Sequence, residues 1–241
     1  MDAKVTFSMQ WAKYLHAEAR RKGREVLWIN LDESNISVVQ RCTYGNKKII
    51  PRKPYSLVHP HIKVSNSTEE KATFTYVGMI CSDKDVQEVL PQVIFVGKKH
   101  ISWAQMQLLW NNLPNNVFIR RNPGKGWTNK TQHLEIIKIL GKVLEPYLGQ
   151  CQPVLIFDAL KLHLDAEVLE ELFYGLMWYL VIPKEFTHML QPLDTHCFRK
   201  LKHYLRIRYN DRLGTLPHRR GIIIMVTLLV EAIENVVLQE D

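Results

Sequence analysis

The chain has 241 residues, 46% of them hydrophobic and 23% charged, which supplies a sizeable core and excludes a disordered chain. Its net charge of +8 favours a polyanionic partner. The longest apolar run, IIIMVTLLV at residues 222–230, is far shorter than the roughly 20 residues of a membrane span. No secretory h-region stands at the start, and four cysteines without a C-x-x-C pair support neither a zinc knuckle nor a disulfide framework, so a soluble intracellular protein without a membrane partner is expected.

In chain order, SMQWAKYLHAEARRKGREV reads as a polar, basic helix. VLWINLDES at 26–34 is the first strong strand, ending in adjacent acids, Asp32 and Glu33. Residues 34–70, rich in Pro, Lys and His, predict a short strand and a long insertion. TFTYVGMIC (73–81) and VLPQVIFVG (89–97), joined by the polar turn SDKDVQE, predict an antiparallel continuation. The pattern then turns helical, and RRNPGKGW at 120–127 reads as a loop. A long helix follows from a Thr or Asn cap near residue 128 through Leu148. PVLIFDAL at 153–160 is a doubly buried strand ending in Asp158. An Asp-capped helix, a short strand at 180–185, a helix from Pro192 to about Asp211 and an amphipathic tail helix complete the order.

Three antiparallel strands, a helix, a central strand, a helix, a strand and a helix give an α/β chain with an RNase H-like, mixed five-stranded sheet flanked by helices. The expected division is a basic helical segment at 1–25, the catalytic domain at 26–211 and a helical tail at 212–241. Asp32 ends the first strand, Asp158 ends the fourth, and Asp194 opens the helix after the fifth. Strand ends of neighbouring strands lie close, so these distant acids can converge. Asp194 has a simpler reading as a first-turn acid complementing the helix dipole. It nevertheless shares a helical face with Cys197, Phe198, Leu201 and Leu205, where an acid needs a compensating partner. An all-oxygen site suits Mg²⁺ or Mn²⁺, and a pair of such ions activates water or a 3′-hydroxyl against a phosphodiester. Residues 199–220 hold eight arginines and lysines against one acid, and Arg199, Lys200, Lys202 and Arg206 are the expected phosphate contacts, with DNA as the partner.

VLIFDALKLH, with a His five residues after Asp158, and IPKEFTHMLQPLDTHCFRKLK closely resemble the DDE superfamily endonuclease domain of pogo-like, mariner-related transposases. LDES, VIFVGK and GKGWTNKTQ extend the resemblance to about residues 25–210. It implies a metal-binding triad of Asp32, Asp158 and Asp194, and the 35 residues between the last two are similar to the family's spacing. Strand alternation puts one of Asp32 and Glu33 on the other face, and the resemblance assigns the site to Asp32, with Glu33, His163 and Gln191 in support. His163 reads equally as an orienter of a carboxylate and as a packed core histidine. It also implies DNA cleavage and strand transfer, self-association in paired complexes and, in a eukaryote, a nuclear location.

Two departures stand out. Ala159 follows the second Asp where the family often has Asn, and about 25 residues precede the first strand, too few for the family's helix-turn-helix region. Recognition of DNA ends would then come from a separate partner or a missing segment. The rival reading is a domesticated, non-catalytic DNA-binding protein. An NTPase is excluded more simply, because GKGWTNKT carries Asn129 where a phosphate-binding loop needs its second glycine.

Overall fold

A computed structural model of the chain describes residues 3–37, 73–122, 128–213 and 221–238. The run around Asp32 forms β1 (Glu25–Ser37) in the interior of a six-stranded sheet. β2 (Thr73–Cys81) and β3 (Gln92–Gly97) continue antiparallel on one side. β5 (Cys151–Asp158) and β6 (Trp178–Ile182) add in parallel on the other, and β4 (Val117–Asn122) pairs in parallel with the outer edge of β3. The order β4-β3-β2-β1-β5-β6 is the expected RNase H-like mixed sheet with one more strand than the five read from the sequence. That strand, VFIRRN, pairs on one side only and carries Arg120 and Arg121. An edge strand needs no apolar alternation on both faces, so RRN read as the start of a loop. SDKDVQE likewise contains a short helix, α2 (Lys84–Gln87), whose start is capped by Asp83 accepting from the Val86 amide at 3.0 Å.

Alternation along the strands sorts the core into two layers. Phe74, Tyr76, Ile94, Val96 and Ile36 point to a layer closed by α3 (Trp103–Trp110), α7 (Phe198–Leu213) and α8 (Gly221–Ala232). Leu27, Ile29, Leu31, Val77, Met79 and Phe95 point to the opposite layer, closed by α4 (Lys130–Leu144) and α5 (Ala166–Tyr174). In α4 the buried residues His133, Ile136, Ile137, Leu140 and Leu144 form one stripe at helical spacing. Burial of each aliphatic side chain contributes about 1.5–3 kcal/mol. Asn129 caps this helix, accepting from the Gln132 amide at 3.0 Å in a closed capping box, which accounts for the residue that breaks the phosphate-loop pattern.

α1 (Ala3–Arg21) is the basic N-terminal helix, and it lies along β6, where the Trp11 indole donates to Tyr179 O at 3.4 Å. Its end turns on Gly23 at φ 70°, a left-handed conformation that favours glycine. The insertion is outside the described residues from 38 to 72, as are Trp127 and the side chains of the basic cluster beyond Arg208. No described helix is long and apolar enough to cross a membrane.

Candidate active site

β1 and β5 run parallel with Asn30 opposite Ile156, the last pair of their ladder; Asp32 and Asp158 each lie two residues beyond it, close enough for the charge of Asp158 to raise the pKa of Asp32. Asn30 and Asp32 share the face toward α7, whereas Glu33 points to the other layer, as alternation requires. The third acid arrives by a different route. After α6 (Thr187–Leu190) the chain forms a π-helical turn, Leu193–Cys197, that leads into α7. Pro192 opens this turn, no side chain caps it, and Asp194 stands in its first turn, where an acid complements the helix dipole. The Asp194 carboxyl also lies close enough to that of Asp32 for its charge to raise the pKa of Asp32. The stripe Cys197, Phe198, Leu201 and Leu205 is fully buried, and Asp194 stands at its solvent-facing end.

Asn30 sets this approach. Its Oδ1 accepts from the Leu193 amide at 2.9 Å and its Nδ2 donates to Ile156 O at 3.0 Å, so one buried amide joins β1, β5 and the turn that carries Asp194. Nothing in the sequence marked Asn30 beyond its place two residues before Asp32. Asn30→Ala should leave the Leu193 N–H buried and unpaired, a loss of about 1–3 kcal/mol readable as a lower urea midpoint. Gln191, also wholly buried, holds the turn through its carbonyl, which accepts from Thr195 N and Oγ1, each at 3.0 Å.

The three carboxyls differ sharply in electrostatics. Asp32 is 9% exposed. Burial first, then the charges of Asp194 and Asp158, push its pKa up to about 8, against the pull of the Glu33 amide that donates to it at 2.8 Å. Burial also raises Asp194, helped by the charge of Asp158 and opposed by Lys202. Asp158 moves the other way. Burial would raise it, but His163 Nδ1 at 2.8 Å from Oδ1 and the Leu160 amide at 3.1 Å outweigh that and hold it below its ordinary value. His163 is therefore both packed and orienting, since its buried ring also lies 5.3 Å from that of Phe157. Burial, and the neighbouring His163, push His133 down to about 3.

Burial and like charge thus favour the neutral forms of Asp32 and Asp194, while Asp158 is held toward its ionised form. Like charges this close cannot all ionise without compensation, and an all-oxygen donor set that must be neutralised fits Mg²⁺ or Mn²⁺. Beside it, Asp194, Arg199, Lys200, Lys202, His203 and Arg206 line one open groove along α7. The Lys202 ammonium lies 6.0 Å from the Phe198 ring centre and close enough to Asp194 to lower its pKa.

Asp158 ends β5, whereas Asp32 lies inside β1, which runs on to Ser37 in its ladder with β2 and so does not end at the acid as the sequence suggested. A mixed sheet of this order with acids on its paired inner strands defines the RNase H-like class. The chain belongs to the DDE superfamily endonuclease family, whose signature matches residues 71–236. That span contains Asp158 and Asp194 but not Asp32. Among curated proteins no relative is found. Among solved structures the chain is similar to the Mos1 transposase catalytic domain with raltegravir and Mg, at 13% identity, TM-score 0.47, covering 97% of this chain and 93% of that one. It is also similar to the Mos1 mariner paired-end complex with Mn, at 14% identity and TM-score 0.45, covering 94% and 59%. With the Mos1 paired-end complex bearing the left transposon end the figures are 14%, 0.45, 92% and 57%. The likeness is loose, and the chain spans under three fifths of the proteins in those two complexes.

Proposed function

We propose that this chain is a divalent-metal-dependent DNA endonuclease and strand-transfer core of the pogo-like kind. The observation that carries the reading is the meeting of Asp32, Asp158 and Asp194, from two strands and a helical turn, beside a basic groove. The three carboxylates would hold Mg²⁺ or Mn²⁺, as a pair of ions, which when bound supply activation of water or of a 3′-hydroxyl and stabilisation of the leaving oxygen. The protein's own part is placement. Asp158 is kept ionised by His163, Asp32 would be a metal ligand in its ionised form, and Arg199, Lys200, Lys202 and Arg206 would hold the phosphates in line with the acids.

Plasmid nicking tests this reading. In Mn²⁺ the purified chain should convert supercoiled DNA to open circles, and Asp158→Ala should abolish the conversion. Equal activity in both proteins, or none from a folded wild type, would establish the domesticated, non-catalytic DNA-binding reading instead. The groove has its own test. Removing two phosphate contacts with Arg199→Ala and Arg206→Ala should flatten the slope of log K against log[salt] by about 2, measured by fluorescence anisotropy on a DNA duplex. Self-association and a separate end-recognition partner complete the proposal.

A further inference from the structure

On the face of the sheet opposite Asp32 lies a second convergence of polar groups, distinct from the three acids. Glu33 of β1, His133 of α4 and His163 of the loop after β5 each present one ligand atom, and these atoms lie within 4.8 Å of one another. Both histidines are 1% exposed, their ring centres are 4.8 Å apart, and His133 Nδ1 stands 4.0 Å from Glu33 Oε1. Glu33 Oε1, His133 Nδ1 and His163 Nε2 are all buried without a protein hydrogen-bond partner. Thr128 Oγ1, also buried, faces the Glu33 carboxylate.

Buried polar atoms without partners are rare and destabilising. Three on adjoining residues call for a common ligand. Two imidazoles and one carboxylate are the wrong donors for Mg²⁺ and the right ones for a transition metal. The tautomer fits as well. A carboxylate only accepts, so the 2.8 Å contact between His163 Nδ1 and Asp158 Oδ1 puts a proton on Nδ1 and leaves Nε2 for a ligand bond.

We propose that Glu33, His133 and His163 form a buried site for a divalent transition-metal ion of the Zn²⁺ class, with Thr128 Oγ1 or water in the fourth position. Bonds of about 2.0–2.1 Å to a tetrahedral ion require donor separations of about 3.3 Å, so the three side chains close inward on binding. The ion ties β1, α4 and the loop after β5 together. Through the carboxylate–histidine–metal arrangement it also fixes the ring that holds Asp158, a consequence that rests on the nuclease reading, whereas the site itself does not.

Visible absorption of the metal-stripped full chain titrated with Co²⁺ tests the proposal. Four-coordinate Co²⁺ absorbs strongly and carboxylate-and-water octahedral Co²⁺ only weakly, so the spectrum tells the two sites apart. One equivalent should bind with the strong spectrum and be displaced by Zn²⁺. His133→Gln and Glu33→Gln should each weaken this binding about 100-fold or more, while Asp194→Asn leaves it unchanged. Zn²⁺ should raise the melting temperature of the wild type and not of the folded variants, Glu33→Gln deciding the matter if His133→Gln does not fold. A weak octahedral spectrum alone, or strong binding that survives both substitutions, would overturn the proposal and leave a solvated polar pocket. Since DNA cleavage is never measured, failure here is separable from failure of the nuclease reading.

Discussion

Asp32→Asn should make the metal-stripped chain more stable at pH 9 while removing Mn²⁺-dependent nicking, a pair of opposite effects that an ordinary core residue would not show. The folded Asp32 carboxyl titrates near 8 and its ordinary value is 3.8. Between those values the native state binds a proton that the unfolded chain has released. Its contribution is therefore fully present below about pH 4 and is lost as pH rises through 8. Asn keeps the shape and the hydrogen-bonding capacity and removes the titration. The shift from 3.8 to about 8 is worth about 6 kcal/mol at most, a ceiling because the titration is coupled to the neighbouring Asp194 charge. Urea midpoints in EDTA at pH 5 and pH 9 should separate for the wild type and nearly coincide for Asp32→Asn. Loss of a metal-holding carboxylate should lower the nicking rate by several kcal/mol of barrier, about a hundredfold or more. A variant no more stable than the wild type at pH 9 would show that Asp32 is not held against its charge.

The reach of the sequence follows from which interactions are local. β1 and β5 were legible because strand alternation and an apolar run are properties of neighbours in the chain, and Asp158 at the end of β5 followed; the continuation of β1 past Asp32 to Ser37 did not, because its residues are mostly polar and pair with β2 alone. The burial of Cys197, Phe198, Leu201 and Leu205 was legible for the same reason. β4 was not, because an edge strand carrying Arg120 and Arg121 satisfies only one ladder. Asn30 and His133 were hidden more deeply. Asn30 matters through Leu193 and Ile156, and His133 through Glu33 and His163, partners 100 or more residues away in the case of Glu33 and Leu193. On α4, His133 occupies a place in an apolar stripe that any packed residue could fill. The tie between the Leu193–Cys197 turn and β1 is likewise tertiary: the Leu193 amide, a donor at the start of the turn, is satisfied by Asn30.

Phe198→Ala should lower stability by about 3–5 kcal/mol and reduce nicking beyond what the lost stability explains. Phe198 is 3% exposed, meets Tyr76 edge to face at 5.9 Å between ring centres, and opens α7 immediately after the turn that carries Asp194. The floor beneath it is Gly78, the β2 residue paired with Asp32. A Cβ at Gly78 would stand 3.1 Å from Tyr76 Cε1 and 3.2 Å from Phe198 Cε1. Both rings are locked in the core, so the milder substitution Gly78→Ala acts in the opposite sense, pushing Phe198 outward at about 1–3 kcal/mol. One change opens a void beneath the start of α7 and the other overfills it, yet both move the segment that holds Asp194 against Asp32. Both should therefore weaken Mn²⁺ binding as well as stability, measured by calorimetric titration on protein confirmed to be folded. Full Mn²⁺ affinity in destabilised but folded Phe198→Ala would show that the turn, tied by Asn30 and Gln191, positions Asp194 without the ring.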